Sequence, residues 1–104
     1  MRQIQQGDVT LQQVPQLPGK ATRLWSGDKI VLAKGETTGH AHVITDPRHA
    51  ALYEIKGELY LEVTAPVILT HEEHRAQQIP DGIYRVGQVR EYDYFAEMER
   101  RVVD

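Results

Sequence analysis

Ala51-Leu-Tyr-Glu-Ile-Lys-Gly-Glu-Leu-Tyr-Leu-Glu-Val63 reads as one β-hairpin. Ala51, Tyr53 and Ile55 alternate with Leu52 and Glu54. After Lys56-Gly57, Leu59, Leu61 and Val63 alternate with Tyr60 and Glu62. A strand sends successive side chains to opposite faces, so a period of two on both sides of a short glycine-containing turn is the signature of two antiparallel strands.

Working outward, the rest of the chain repeats the pattern of short strands and turns. Ile30 to Ala33 is a continuous apolar run, as for a strand buried on both faces, and a second strand follows over His40 to Thr45. Asp46-Pro47 and Ala65-Pro66 mark turns, with Val67 to His71 between the second of these and the next break. Pro80-Asp81-Gly82 is a further turn, in which proline presets φ and glycine is free to take φ > 0. It leads into Ile83 to Val89 and a tyrosine-rich continuation to Tyr94. Pro15, Pro18 and Gly19 separate residues 1–20 as an N-terminal arm or edge strand. Only Phe95 to Arg101 has a helical look, with Glu97 and Arg101 four apart. The expectation is a single all-β domain over residues 1–104, a small antiparallel β-barrel or sandwich with at most one short C-terminal helix.

Composition narrows the function classes. The chain has 104 residues, 40% apolar and 26% charged, enough for one modest core and too apolar for a disordered segment. Twelve Lys and Arg against fifteen Asp and Glu leave a net charge of −3, which disfavours nucleic acid and anionic membranes as partners. No apolar run approaches the roughly 20 residues a bilayer-crossing helix needs, and Met1 to Asp8 lacks the apolar stretch of a secretory signal. The expected setting is therefore cytoplasmic. With no cysteine there is no thiolate nucleophile and no thiolate metal site. Nor does any strand-to-helix nucleophile elbow or phosphate-cradling glycine loop occur.

What remains is histidine. All five, His40, His42, His49, His71 and His74, fall between residues 40 and 74. His40-Ala41-His42 lies on an expected strand, where residues two apart share a face and two imidazoles form half a chelate. His71-Glu72-Glu73-His74 lies in an expected turn after a strand. Its His71 shares a face with Val67 and Leu69. Either pair alone is more often an ordinary solvated motif. Together, without cysteine, they make His40, His42, His71 and His74 candidate ligands for a divalent transition metal (Zn, Fe, Mn, Ni or Cu). Glu73 and Asp46 are candidate carboxylate ligands. His49, after Pro47-Arg48, reads as a surface residue.

Gly35-Glu-Thr-Thr-Gly-His40-Ala-His42 resembles the first half of a cupin motif, and Pro80-Asp81-Gly82 resembles the Pro-X-Gly turn of its second half. The likeness spans roughly residues 30 to 90. It implies a compact barrel that holds one metal through a strand-borne His-X-His, a later acid and a later histidine. The sequence departs from that pattern in three places. The gap from Gly35 to His40 is one residue short, the acid after His42 is Asp46, and Arg85 stands where the second half has its histidine. His71 or His74 would have to serve instead.

If the barrel is metal-dependent, Arg85 or Arg90 would orient an anionic substrate. The competing reading is a non-catalytic β module in which Arg85, Arg90 and Tyr92 form a contact surface for a protein partner or a second copy. A homodimer would help so small a domain cover its edges.

Overall fold

The computed structural model describes residues 2–24, 27–34 and 40–88. Ten strands follow in order: β1 (Gln3–Gln6), β2 (Val9–Val14), β3 (Thr22–Leu24), β4 (Ile30–Lys34), β5 (Ala41–Ile44), β6 (Ala50–Ile55), β7 (Glu58–Val63), β8 (Val67–Thr70), β9 (Gln77–Ile79) and β10 (Gly82–Gln88). A single 3-10 turn at Pro47–His49 links β5 to β6. Among the described residues no helix is long and apolar enough to cross a membrane. The expected C-terminal helix at Phe95 to Arg101 lies outside the described residues.

The strands form two antiparallel sheets. One has six strands in the order β1-β2-β10-β7-β6-β3, the other four in the order β4-β5-β8-β9. The β6–β7 hairpin is as the sequence reads. Lys56 and Gly57 close it with φ of 51° and 79°, the paired left-handed conformations of a tight hairpin turn. Leu52 faces Leu61 and Ala50 faces Val63 on the inner side.

Both sheets contribute to one core. Val9 and Leu11 of β2, Leu52 of β6, Leu61 and Val63 of β7 and Tyr84 of β10 come from the larger sheet. Ile30 and Leu32 of β4, Ile44 of β5, Val67 and Leu69 of β8 and Ile79 of β9 come from the smaller. Burying a side chain of this size contributes about 1.5–3 kcal/mol, so the inward rows of the strands account for the fold's cohesion. Tyr84 is fully buried, and its hydroxyl donates to the Pro80 carbonyl at 2.8 Å, tying the turn before β10 to the strand itself.

Two expectations change. The sheets do not close into a barrel: among the described residues β1, β3, β4 and β9 remain edges. Ile30 to Ala33 is not buried on both faces, because β4 is one of those edges and Val31 points outward at 37% exposure. Of the two forms expected for the first segment, arm or edge strand, the structure has the edge strand. Residues 3–14 form a hairpin whose outer strand is an edge and whose inner strand pairs with β10.

Candidate metal centre

Strand alternation places His42. On β5, His42 and Ile44 point inward while Ala41 and Val43 are half-buried, so His42 occupies a position that would otherwise take an apolar residue. A fully buried imidazole needs partners for both nitrogens. Its Nδ1 lies 2.8 Å from Gln6 Oε1, and its Nε2 lies 2.9 Å from Asp8 Oδ1. The Gln6 amide is itself fixed, because its Nε2 donates to the carbonyls of Leu69 at 2.9 Å and Arg75 at 3.0 Å. That orientation turns the Gln6 oxygen toward Nδ1, and the Asp8 carboxylate faces Nε2, so the ring meets an acceptor on each side: neutral, it donates to one of the two, and only the imidazolium donates to both. Gln88 Nε2 completes the network by donating to Asp8 Oδ2 at 2.9 Å. The β1–β2 turn, β5, β8 and β10 are thus joined through one imidazole.

The same network shifts the titration of its members. Burial pushes His42 below its ordinary value, Asp8 pulls it up, and the imidazoles of His71 and His74 push it down again. The balance is downward. Burial works to raise Asp8, but hydrogen bonds from Gln88 and His42 outweigh it and leave the carboxyl below its ordinary value.

The other three cluster histidines gather around this ring. His71 packs against His42 with centroids 4.3 Å apart, and His74 lies parallel to His42 at 6.1 Å. His74 and His71 are 4.6 Å apart, and His40 meets His71 edge-on at 5.8 Å. The His-X-His and His-X-X-His pairs read from the sequence therefore converge in one place. The Nε2 end of the His74 ring also lies close against Gly7, whose φ is +56°. A Cβ at that position would stand 2.4 Å from His74 Nε2.

Convergence of rings is not convergence of donors. The nitrogens of His42 are taken by Gln6 and Asp8, so His42 holds the cluster from beneath. The donor atoms of His40, His71 and Glu72 do converge: one ligand atom from each lies within 4.8 Å of the other two. Glu72 is anchored there because both its carboxylate oxygens accept from the Ala41 N–H, at 3.2 and 3.0 Å. Those hydrogen bonds, first the one from Ala41, hold its carboxyl below the usual range. Glu73 sits at the rim, its Oε1 3.6 Å from His40 Nδ1, and its backbone N–H donates to His71 Nδ1 at 3.0 Å.

The remaining candidates lie elsewhere. Asp46 caps the 3-10 turn after β5, accepting from the backbone N–H and side chain of Arg48, so its carboxylate is already engaged. His49 is exposed in that turn, as expected. Arg85 projects outward from β10 and pairs with Glu58 at 2.7 Å on the outer face of the larger sheet, while its neighbour Tyr84 points into the core. Tyr84 lies in the core, so among the described residues β10 presents no tyrosine outward. Arg90 and Tyr92 lie outside the described residues.

Three residues of the cluster escaped the sequence reading: Gln6, Asp8 and, as a donor, Glu72. Gly7-Asp8 between two alternating runs is a two-residue hairpin signal, which would have drawn Gln6 and Asp8 into a folded hairpin and out of an arm. No local pattern distinguishes Glu72 from Glu73. That choice is made by the Ala41 N–H across the strand gap.

The chain matches the family described as a domain of unknown function, DUF8820, over residues 5–89. It belongs to the DUF8820 family. The matched span of this DUF8820 domain contains the two-sheet core and every histidine of the cluster. No curated protein and no solved structure matches the chain.

Proposed function

We propose that this DUF8820 domain binds a divalent transition-metal ion through His40, His71 and Glu72, on a two-sheet scaffold of cupin-like character. The observation that carries the reading is the approach of those three donor atoms to within 4.8 Å of one another. Two imidazoles and one carboxylate suit Zn²⁺ or Fe²⁺ and leave coordination positions for water or substrate. A metal so held acts as a Lewis acid or activates a bound water.

The surroundings favour such a site in two ways. Ala41 N–H fixes Glu72, and the His42 ring supports His71 from below. They also set a requirement. His71 Nδ1 accepts from the Glu73 N–H, so in the neutral ring Nε2 carries the proton. Binding at Nε2 moves that proton to Nδ1, and binding at Nδ1 displaces the amide. Either way the Glu73 hydrogen bond is exchanged for the metal, at a cost of about 1 kcal/mol.

The test is elemental analysis of dialysed protein after incubation with each ion in turn, followed by titration of the chelator-stripped protein. Near-stoichiometric Zn or Fe supports the reading. No retained metal and no uptake on titration removes it.

A further inference from the structure

The four sheet edges are not alike. β3 and β9 are three residues long, β3 carries the exposed Arg23, and β9 runs directly into Pro80. β4 is broken by a register shift between Val31 and Ala33. Short length, charge, proline and bulges are the devices by which edge strands are kept from pairing with other chains. β1, four residues long and beside β9 at the corner of the two sheets, has neither charge, proline nor bulge. Gln3-Ile4-Gln5-Gln6 is uncharged, contains no proline, and pairs with β2 in unbroken register.

The free groups of that edge follow from its pairing. Gln6 and Val9 flank a two-residue turn, and the Gln13 N–H donates to the Arg2 carbonyl at 2.8 Å, so Arg2, Ile4 and Gln6 face β2. The N–H and C=O of Gln3 and Gln5 therefore point away from the sheet, and among the described residues they have no backbone partner. Both side chains are exposed, whereas Ile4 packs on the core.

We infer that the β1 edge is the contact surface for a second copy of this chain, paired antiparallel about a two-fold axis through Ile4. The sequence Gln3-Ile4-Gln5 is its own complement about that axis. Gln3 faces Gln5 of the second copy, each such pair exchanging two backbone hydrogen bonds, and Ile4 faces Ile4. A carboxamide both donates and accepts, so glutamine opposite glutamine is satisfied in either orientation, where like charges would repel. The two larger sheets become continuous, and an uncharged, bulge-free edge is closed by the partner that matches it. This inference is independent of the metal centre.

Sedimentation velocity from micromolar to near-millimolar concentration tests it, on the full chain and on Gln3→Lys/Gln5→Lys. The lysines sit at exposed positions outside the β2 ladder, give up only the Gln5 Nε2 hydrogen bond to the Gly7 carbonyl, and set like charges opposite each other. The expected result is a concentration-dependent dimer for the unchanged chain, weakened about tenfold or more in the variant. Amide exchange at Gln3 and Gln5 should slow as the unchanged chain dimerises. A Gln3→Pro variant, which deletes an outward N–H without touching the β2 ladder, should also weaken the dimer. A chain that stays monomeric throughout, or a dimer that survives all these substitutions, overturns the inference. So does protection of the two amides in a monomer, which would mean the chain covers its own edge.

Discussion

His42 Nε2 lies 2.9 Å from Asp8 Oδ1 while the opposite ring nitrogen meets the fixed amide of Gln6, so one buried imidazole bridges the first hairpin to the strand that carries it. Removing it leaves the Gln6 oxygen buried without a donor and a ring-sized void beside His71. His42→Ala should destabilise the fold by about 2–4 kcal/mol in denaturant titration, well beyond a surface substitution. Gln6→Ala strips the same contact from the other side, so the double variant should lose clearly less than the sum of the two. Simple additivity would show that the two side chains act separately.

Acid should weaken this clamp. His42 sits below its ordinary 6.5, which means folding favours its neutral form. The stability this contributes is present above 6.5 and is lost as pH falls through the lowered value. Asp8 sits below 3.8, so its contribution is present above 3.8 and is lost at still lower pH. Thermal midpoints of chelator-treated protein should hold level above neutrality, fall once pH drops below 6.5, and fall again below 3.8. The first step should be missing in His42→Ala. A midpoint that rises between neutrality and the first step would show the opposite, that His42 keeps a second proton for Asp8.

The turn beneath His74 makes a separate prediction. Gly7 has φ +56°, and a methyl there would meet the His74 ring. Gly7→Ala should cost about 1–3 kcal/mol, part from the backbone conformation and part from displacing the ring. The two parts separate in a double-variant cycle. With His74→Ala in place only the backbone part remains, so the added cost of Gly7→Ala should shrink. An unchanged cost would mean that His74 moves aside freely.

The sequence made the β6–β7 hairpin legible because both of its strands alternate and Lys56-Gly57 supplies the turn. It also singled out the four histidines whose rings gather in the structure, since residues two apart at the start of β5 and three apart after β8 are kept close by local geometry. It could not say which way each imidazole turns. His42 is withdrawn from ligation by Gln6 and Asp8, which lie far away in the chain and reach it only through the packing of the two sheets. Glu72 is chosen over Glu73 by one backbone amide across that same gap. The exposed side of β4 was hidden for a similar reason, since an edge strand and a central strand share the same apolar run.

Ligand substitutions separate the two groups of histidines. His40→Ala, His71→Ala and Glu72→Ala each remove one of three donors and should weaken metal binding by more than about a hundredfold in a competition titration against a chromogenic chelator. His74→Ala and His49→Ala should bind nearly as the unchanged chain does, because neither supplies a donor to the set. If all five variants retain metal equally, the ligands lie elsewhere.

A final measurement looks at His71 itself. Its Nδ1 is held by the Glu73 N–H at 3.0 Å, and that bond cannot survive ligation of the neutral ring through either nitrogen. Titrating the stripped protein with Zn²⁺ should therefore shift the Glu73 amide resonance and speed its hydrogen exchange, while the Ala41 amide, bound to Glu72, stays protected. The stoichiometry of that change should match the stoichiometry of uptake. Metal bound with the Glu73 amide unmoved would place the ion away from His71, and the site would have to be rebuilt around His40 and the rim carboxylates.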